Sequence, residues 1–150
     1  MVNKSITTPI IDAINILRPS IVKHSIKLIT NFKTTRNLNI FSNELTQVIL
    51  IILQNSVDNF IEKNKDNAVI TITTQETKNN LSSIIIEDNG GGIDANIIEK
   101  VFDPYFSTKM EKNGTGLGLY MAKLIIEKYH KGELKVVNTK DGVSFFINFY

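Results

Sequence analysis

An apolar run that ends in an acid and three consecutive glycines constrains the fold of this chain more than any other feature. The run is Ile84-Ile85-Ile86-Glu87-Asp88-Asn89-Gly90-Gly91-Gly92-Ile93. Its isoleucines predict a buried strand, and its glycines predict a turn that residues with a Cβ adopt poorly. A carboxylate held at the end of such a strand can accept a hydrogen bond from an exocyclic amino group. The alternative is a plain Asp-Asn-Gly turn between a strand and a helix, which is common.

A second glycine cluster lies later in the chain. Gly114-Thr115-Gly116-Leu117-Gly118-Leu119 opens a segment, Leu117 to Lys131, that is predicted to be a helix ended by Gly132. Backbone N–H groups with no side chain in the way, together with the helix dipole, favour the binding of phosphate. The spacing differs from the dinucleotide-binding GxGxxG pattern. The cluster also lacks the lysine and the hydroxyl residue that close a P-loop, which excludes a P-loop ATPase.

A long helix with an amide on its polar side is predicted between these features and the start of the chain. It runs from Ser42, its expected N-cap, to about Lys63, and it carries Asn55 on one stripe with Ile51 and Asp58. An uncharged oxygen ligand suits Mg²⁺, which holds most of its water and takes other ligands from phosphate. Taken alone, however, a helix asparagine is more often a solvated residue. The stripe predicted to face the core consists of Leu45, Ile49, Ile52, Leu53, Ser56 and Phe60.

The remaining patterns predict helices and strands that interleave around one mixed sheet. A helix is expected to start at Thr8-Pro9, with a kink at Pro19, and a short helix is expected from Ala95 to Val101. Residues 102–114 have no clean period and are expected to form a loop. The fold class is therefore α/β, a two-layer sandwich. The predicted strands are 26–32, 38–41, 69–73, 81–88, 133–138 and 143–149, the last two joined by a turn at Asp141-Gly142.

The composition fits one soluble globular domain and excludes several classes of function. Hydrophobic residues make up 42% of the 150 residues and charged residues 21%. A net charge of +2 is too small to indicate nucleic acid binding, and the absence of cysteine excludes disulfides and thiolate chemistry. The longest apolar run, Val48 to Leu53, is far shorter than the roughly 18 residues that a membrane span needs.

The three motifs, in this order, resemble the ATP-binding catalytic domain of sensor histidine kinases, in the superfamily shared with gyrase, MutL and a heat-shock chaperone. Residues 47–59 are similar to the asparagine box of these kinases, which reads close to QVLLNLLNNAIDA, and residues 88–93 match the pattern DxGxGI. The resemblance implies a Bergerat-type ATP-binding fold, with helices on one face of a mixed sheet and a mobile ATP lid. Residues 1–150 are expected to be a single catalytic domain from which the dimerisation and phosphoacceptor domain is absent.

The resemblance also assigns roles to individual residues. Asn55 corresponds to the Mg²⁺ ligand, Asp88 to the acceptor of the adenine amine, and Ser144 to a hydroxyl near adenine. Residues 101–109 are similar to the phenylalanine box and lid of one group of these kinases, which makes Lys109 the expected catalytic contact to phosphate. The residues expected to bind ATP are Asn55, Asn59, Asp88, Gly90, Gly92, Ile93, Lys109, Gly114, Thr115, Gly116, Leu117, Gly118, Leu119 and Ser144.

The implied function is transfer of the γ-phosphoryl group of ATP to a histidine on a separate helix, in two-component signal transduction. The expected ligands are ATP or ADP and Mg²⁺, and the expected partners are the kinase's own dimerisation and phosphoacceptor domain and a response regulator. Neither His24 nor His130 has the neighbourhood of a phosphoacceptor, so both are expected to be structural. The fragment is expected to be a cytoplasmic monomer without membrane contact that does not phosphorylate itself alone.

Three alternatives to a histidine kinase remain open, and two of them depend on Ile51, which departs from the family pattern. Related ATPases carry a glutamate base there and many kinases an asparagine, whereas isoleucine can neither orient water nor accept a proton. This favours a module that senses nucleotide without transferring phosphate. A conformational ATPase of the gyrase or MutL type is disfavoured by the missing base. The third alternative is a serine kinase of the anti-sigma type.

Overall fold

Seven strands and four helices make up the part of the chain that the structure describes. The computed structural model describes residues 1–34, 36–77, 79, 81–106 and 116–150. The strands are β1 (Val2–Ser5), β2 (Lys27–Phe32), β3 (Asn37–Ile40), β4 (Val69–Glu76), β5 (Ser82–Asp88), β6 (Glu133–Asn138) and β7 (Val143–Phe149). The helices are α1 (Thr7–Lys23), α2 (Ser42–Glu62), α3 (Ala95–Ile98) and α4 (Gly118–Leu124), the last continued by a π-helical turn over Ile125–Tyr129.

Five strands form one mixed sheet in the order β2-β4-β5-β7-β6. β2 runs parallel to β4, while the other neighbours are antiparallel. This confirms the predicted two-layer α/β class. The prediction of a single sheet is wrong, because β3 pairs with β1 in a separate two-stranded sheet. β1 was not predicted, since its sequence has no alternation of apolar and polar residues and its strand form depends on pairing with β3.

The core lies between α1, α2, α4 and one face of the five-stranded sheet. Ile70 and Ile72 of β4 and Ile84 and Ile86 of β5 alternate into it, and each is at most 1% exposed. Full burial of a side chain of this size contributes roughly 1.5–3 kcal/mol relative to exposure. The predicted core stripe of α2 is confirmed, because all six of its members are buried.

The start of α2 is fixed by a histidine instead of the predicted serine cap. Ser42 is the first helical residue, and the N-cap position belongs to Phe41, whose side chain makes no capping hydrogen bond. The Phe41 backbone N–H instead donates to Nε2 of His130 at 3.0 Å, and His130 Nδ1 lies 3.2 Å from the Ile125 carbonyl. His130 therefore works as a neutral imidazole that joins the end of the π-helical turn to α2, in agreement with the structural role expected from the sequence.

This contact predicts that the protein loses stability as pH falls below neutral. Burial lowers the pKa of His130 below its ordinary value of about 6.5, although its two backbone contacts and Glu44 of α2 act in the opposite direction. Because the pKa of His130 is lower in the native state, the unfolded chain binds more protons than the native protein once the pH falls below about 6.5. The stabilising contribution of neutral His130 is therefore fully present above about pH 6.5 and is lost as the pH falls through the lower pKa of the native protein.

Urea unfolding between pH 7.5 and 5.5 measures this dependence. We expect the free energy of unfolding to fall more steeply with acid in the unaltered protein than in His130→Gln. Replacement of the exposed His24 by glutamine is the matched control and should keep the original slope. Equal slopes for the unaltered protein and His130→Gln would contradict the assignment.

Two helix boundaries differ from those predicted. α3 ends at Ile98 instead of Val101, and it begins with a cap in which the Asn96 N–H donates to Asp94 Oδ1 at 2.9 Å. α4 widens into a π-helical turn before the chain leaves it, and the left-handed residue there is Lys131, with φ of 51°, instead of Gly132. Among the described residues, no helix is both long and apolar enough to cross a membrane.

Candidate nucleotide-binding site

A cavity of about 560 Å³ opens between α2, the turn after β5, and the starts of α3 and α4. This volume lies within the range of small-molecule sites. One wall is α2, which contributes side chains from Leu50 to Lys63. With a rise of 1.5 Å per residue, the cavity follows about 20 Å of that helix. Its shape therefore suits an elongated ligand instead of a compact one.

Asp88 lines this cavity, and both of its carboxylate oxygens are already hydrogen-bonded. Its side chain is 7% exposed. The Ser56 hydroxyl donates to Oδ2 at 2.6 Å, and the Gly90 N–H donates to Oδ1 at 2.9 Å. A carboxylate has about four lone-pair positions, so acceptor capacity remains for a ligand. The two protein donors fix the orientation of the carboxylate and therefore the directions of its remaining lone pairs.

The turn after Asp88 is attached to α2 through one carbonyl group. The Gly90 oxygen accepts from Asn59 Nδ2 at 2.9 Å and from Lys63 Nζ at 2.8 Å. Gly91 has a φ of 86°, a conformation that side chains with a Cβ rarely adopt. The turn is thus held from the helix side by two donors, one of them charged.

The β6–β7 hairpin holds the same turn from the opposite side. The Asn138 amide accepts from the Ile93 N–H and donates to the Ile93 carbonyl, both at 2.7 Å. The Gly91 N–H donates to the Asp141 carbonyl at 2.9 Å. A Cβ on Gly142 would overlap the Asp88 carbonyl oxygen, so only glycine permits this approach. The site therefore depends on contacts from three separate parts of the chain.

Asn55 and Ile51 face the cavity from neighbouring turns of α2. A Cβ on Gly118 would lie 3.3 Å from Ile51 Cγ2, so the start of α4 packs directly against this isoleucine. Ile51 thus places an aliphatic group where the family pattern has a polar residue. Beside Asn55, Gln54 Nε2 donates to Asp58 Oδ1 at 2.8 Å, which makes this part of the wall polar.

Two phenylalanines lie in the loop that follows α3. Phe106 lines the cavity, while the Phe102 ring packs edge-on against Phe145 with centroids 6.4 Å apart. Lys123 of α4 places its Nζ 5.0 Å from the centre of the Phe102 ring. Phe102 therefore anchors the loop after α3 to both the sheet and α4.

Most described residues of the predicted site converge on this cavity. Its lining includes Asn55, Asn59, Asp88, Gly92, Ile93, Gly116, Gly118 and Leu119. Gly90 acts through its carbonyl and N–H, as described above. Leu117 occupies the N-cap position of α4, where its carbonyl accepts from the Met121 N–H. Lys109, Gly114, Thr115 and most of the predicted mobile lid lie outside the described residues.

The structure does not bring Ser144 to the cavity, which corrects its expected placement beside the ligand. Its hydroxyl donates to Glu87 Oε1 at 2.6 Å, across the pair that these residues form between β7 and β5. Its neighbours Val143 and Phe145 line the cavity instead. Because side chains alternate along a strand, Ser144 faces the opposite side of the sheet.

Sequence reasoning missed three residues that shape the site. Ser56 was assigned to the core, although it stands where the asparagine box quoted above has alanine, and that difference was an available signal. Lys63 and Asn138 belong to no recognised motif. Their roles arise from contacts with Gly90 and Ile93, residues 27 and 45 positions away in the chain. No local pattern identifies such partners.

Comparison with known proteins identifies the family. Residues 42–149 match the family described as histidine kinase-, DNA gyrase B- and HSP90-like ATPases. The signal transduction histidine-protein kinase AtoS of Escherichia coli K12 is 42% identical over 94 residues, which cover 63% of this chain and 14% of AtoS. The sensor histidine kinase ZraS of the same strain is 30% identical over 140 residues, covering 85% of this chain and 28% of ZraS.

Solved structures show the same fold. The catalytic domain of histidine kinase ThkA has a TM-score of 0.86 at 24% identity, covering 99% of this chain and 95% of that one. ThkA in complex with the response regulator TrrA gives a TM-score of 0.79 at 22% identity, covering 99% of this chain and 41% of that one. The chain thus has the fold of a histidine kinase catalytic domain and spans less than a third of AtoS and ZraS. It belongs to the family of histidine kinase-, DNA gyrase B- and HSP90-like ATPases.

Proposed function

We propose that this chain binds ATP with Mg²⁺ and donates the γ-phosphoryl group to a histidine on a separate dimerisation helix, in two-component signalling. The observation that carries the proposal is the buried Asp88, fixed by Ser56 and Gly90 in a cavity whose helical wall includes Asn55. The kinase names of the similar proteins support it.

The residues present fit a nucleotide. The oriented carboxylate of Asp88 suits the amino group of adenine, and apolar side chains such as Ile93 and Val143 line the same cavity. Gly116 and Gly118 line it at the start of α4, where backbone N–H groups suit phosphate. Adenine at Asp88 and phosphates near α4 would place the nucleotide along α2.

The residues also fit Mg²⁺ held mainly by its water and by the nucleotide. Among the described residues, no group of three or more His, Cys, Asp or Glu side chains could hold a metal ion. Mg²⁺ commonly takes only one or two protein ligands and the rest from phosphates and water. Asn55, which lines the cavity, would supply such a single oxygen.

Substitution of Asn55 by alanine removes this oxygen, and ADP binding should then lose its dependence on Mg²⁺. We expect Mg²⁺ to raise the ADP affinity of the unaltered protein by about tenfold, which corresponds to about 1.4 kcal/mol, and to have little effect on Asn55→Ala. Calorimetric titration with and without Mg²⁺ measures the difference. Asn96→Ala, an exposed asparagine of α3, is the control and should respond like the unaltered protein. An undiminished Mg²⁺ effect in Asn55→Ala would exclude Asn55 as the ligand.

The proposed mechanism consists of positioning. Bound ATP would supply the phosphoryl group, and Mg²⁺ would neutralise charge on the phosphate oxygens. Asp88 would orient the base, the glycines of the second cluster would approach the phosphates, and Lys109 would contact them. Such a site can accelerate phosphoryl transfer by orientation and charge stabilisation without a covalent role for the protein.

Ile51 explains why the acceptor would have to come from elsewhere. Its aliphatic side chain beside Gly118 keeps a general base out of this position, so the fragment should not activate water efficiently. The proposed nucleophile is the histidine of a dimerisation and phosphoacceptor domain, and a response regulator would then receive the phosphoryl group. The complex of ThkA with TrrA supports a partner of this class. The fragment itself is proposed to be a cytoplasmic monomer.

Phosphotransfer to added phosphoacceptor domains tests the proposal. The fragment is incubated with γ-labelled ATP, Mg²⁺ and an excess of the phosphoacceptor domains of AtoS and ZraS. We expect label that is lost in acid and stable in base to appear on a histidine, and we expect no label with the Asp88→Asn variant of the fragment. ATP binding without any transfer would favour the second candidate, a nucleotide-sensing module, which the aliphatic Ile51 also suggests.

A further inference from the structure

The Ser56 side chain donates to the carboxylate of Asp88, and Ser56 also lines the cavity. The serine is 3% exposed, and its hydroxyl proton is committed to Asp88 Oδ2 at 2.6 Å. A hydroxyl oxygen that donates its proton keeps two lone pairs. Ser56 can therefore accept a hydrogen bond from a ligand in the cavity but has no proton left to donate.

Gly90, the other contact of the carboxylate, has no hydrogen-bonding group left for a ligand either. The Gly90 N–H is committed to Asp88 Oδ1, and the Gly90 carbonyl is occupied by Asn59 and Lys63. What Asp88 and Ser56 together present to a ligand is thus a pair of acceptors. A primary amine carries two protons and matches such a pair, whereas a carbonyl oxygen would face acceptors only.

We infer that Ser56 is a specificity-determining residue that accepts one proton of the exocyclic amine while Asp88 accepts the other. This deepens the proposed function and rests on it, because it assumes that the base of ATP lies at Asp88. The alanine that the asparagine box has at this position offers no such acceptor. Ser56 thereby selects the unsubstituted 6-amino group over a keto or an alkylated one.

The experiment compares nucleotides whose bases differ in the group at position 6. ADP has two amine protons there and N6-methyl-ADP has one, while inosine diphosphate has a keto oxygen there and also a proton on N1. Each is titrated with Mg²⁺ into the unaltered protein, into Ser56→Ala and into Ser83→Ala. Ser83 is a matched control, because it is also a buried serine of the chain, 3% exposed, whose hydroxyl donates to a side-chain oxygen, Asn148 Oδ1, away from the cavity.

We expect Ser56→Ala to bind ADP about fivefold more weakly, as the loss of one net hydrogen bond implies. The preference for ADP over N6-methyl-ADP should shrink by a similar factor, because the methyl group then meets open space instead of an acceptor. Ser83→Ala should keep the original preference. Unfolded protein lowers the stoichiometry of a titration and leaves this ratio of affinities unchanged, so partial destabilisation of a variant does not obscure the result.

Two results overturn the inference in different ways. If the unaltered protein binds no ADP, the proposed function fails and the role of Ser56 fails with it. If ADP binds and Ser56→Ala keeps the original preference over N6-methyl-ADP, the proposed function stands and only the role of Ser56 is excluded. In that case the serine acts solely as a structural partner of Asp88.

Discussion

Asp88→Asn is expected to weaken ADP binding by roughly 30- to 150-fold, or about 2–3 kcal/mol. The amide keeps the shape of the side chain but leaves a single acceptor oxygen. Because the Gly90 N–H must be satisfied, that oxygen is held towards Gly90 and the NH₂ group turns towards Ser56. The amine of the base, which is a donor, then meets a second donor instead of an acceptor. Calorimetric titration with ADP and Mg²⁺ measures the loss.

Glu87→Gln is the matched control for this prediction. Glu87 precedes Asp88 on β5, and its carboxylate faces the other side of the sheet, where it accepts from Ser144. The control removes the same charge from the same strand without touching the cavity, so its ADP affinity should stay within about twofold of the original, the range of small surface effects. Equal losses in the two variants would mean that charge, and not the geometry at Asp88, determines binding.

Gly142→Ala is expected to destabilise the protein by about 2–4 kcal/mol, because it introduces a steric overlap with backbone that cannot move independently. The added Cβ would overlap the carbonyl oxygen of Asp88, which pairs with Val143 across β5 and β7. Relief requires the hairpin to move away from the end of β5. Since Asn138 and Asp141 hold the glycine turn from that hairpin, ADP binding should fall together with stability.

Urea unfolding, followed by ADP titration under conditions where the variant is folded, measures both effects. Lys140→Ala is the control, because this exposed residue lies in the same turn and its truncation creates no overlap. Its stability should change by no more than about 0.5 kcal/mol, as is usual for surface substitutions. A Gly142→Ala protein as stable as Lys140→Ala would show that the hairpin approaches Asp88 less closely than the structure indicates.

The sequence predicted those features that local pattern determines. The apolar run before Asp88 and the glycines after it identify both a strand end and a turn, because few other residue types tolerate that sequence of conformations. The core stripe of α2 follows from helical periodicity in the same way. The spacing within the asparagine box singles out Asn55, and this residue lines the cavity.

Contacts between distant segments could not be predicted in this way. The start of α2 depends on His130, which lies 89 positions from Phe41, and the pattern around Ser42 gives no sign of it. Lys63 and Asn138 reach the glycine turn only after the helix and the hairpin have packed. Ser144 is different, since its position between the apolar Val143 and Phe145 was itself a signal that a strand would turn the hydroxyl away from the cavity.

Titration of the unaltered protein with ADP and with GDP, each in the presence of Mg²⁺, tests the central claim most directly. That claim is that the cavity beside Asp88 is an adenine nucleotide site. Binding of one ADP per chain, with GDP bound far more weakly, is the predicted result, because the carbonyl at position 6 of guanine would face only acceptors at Asp88 and Ser56. The absence of any ADP binding, or equal binding of ADP and GDP, would contradict the account.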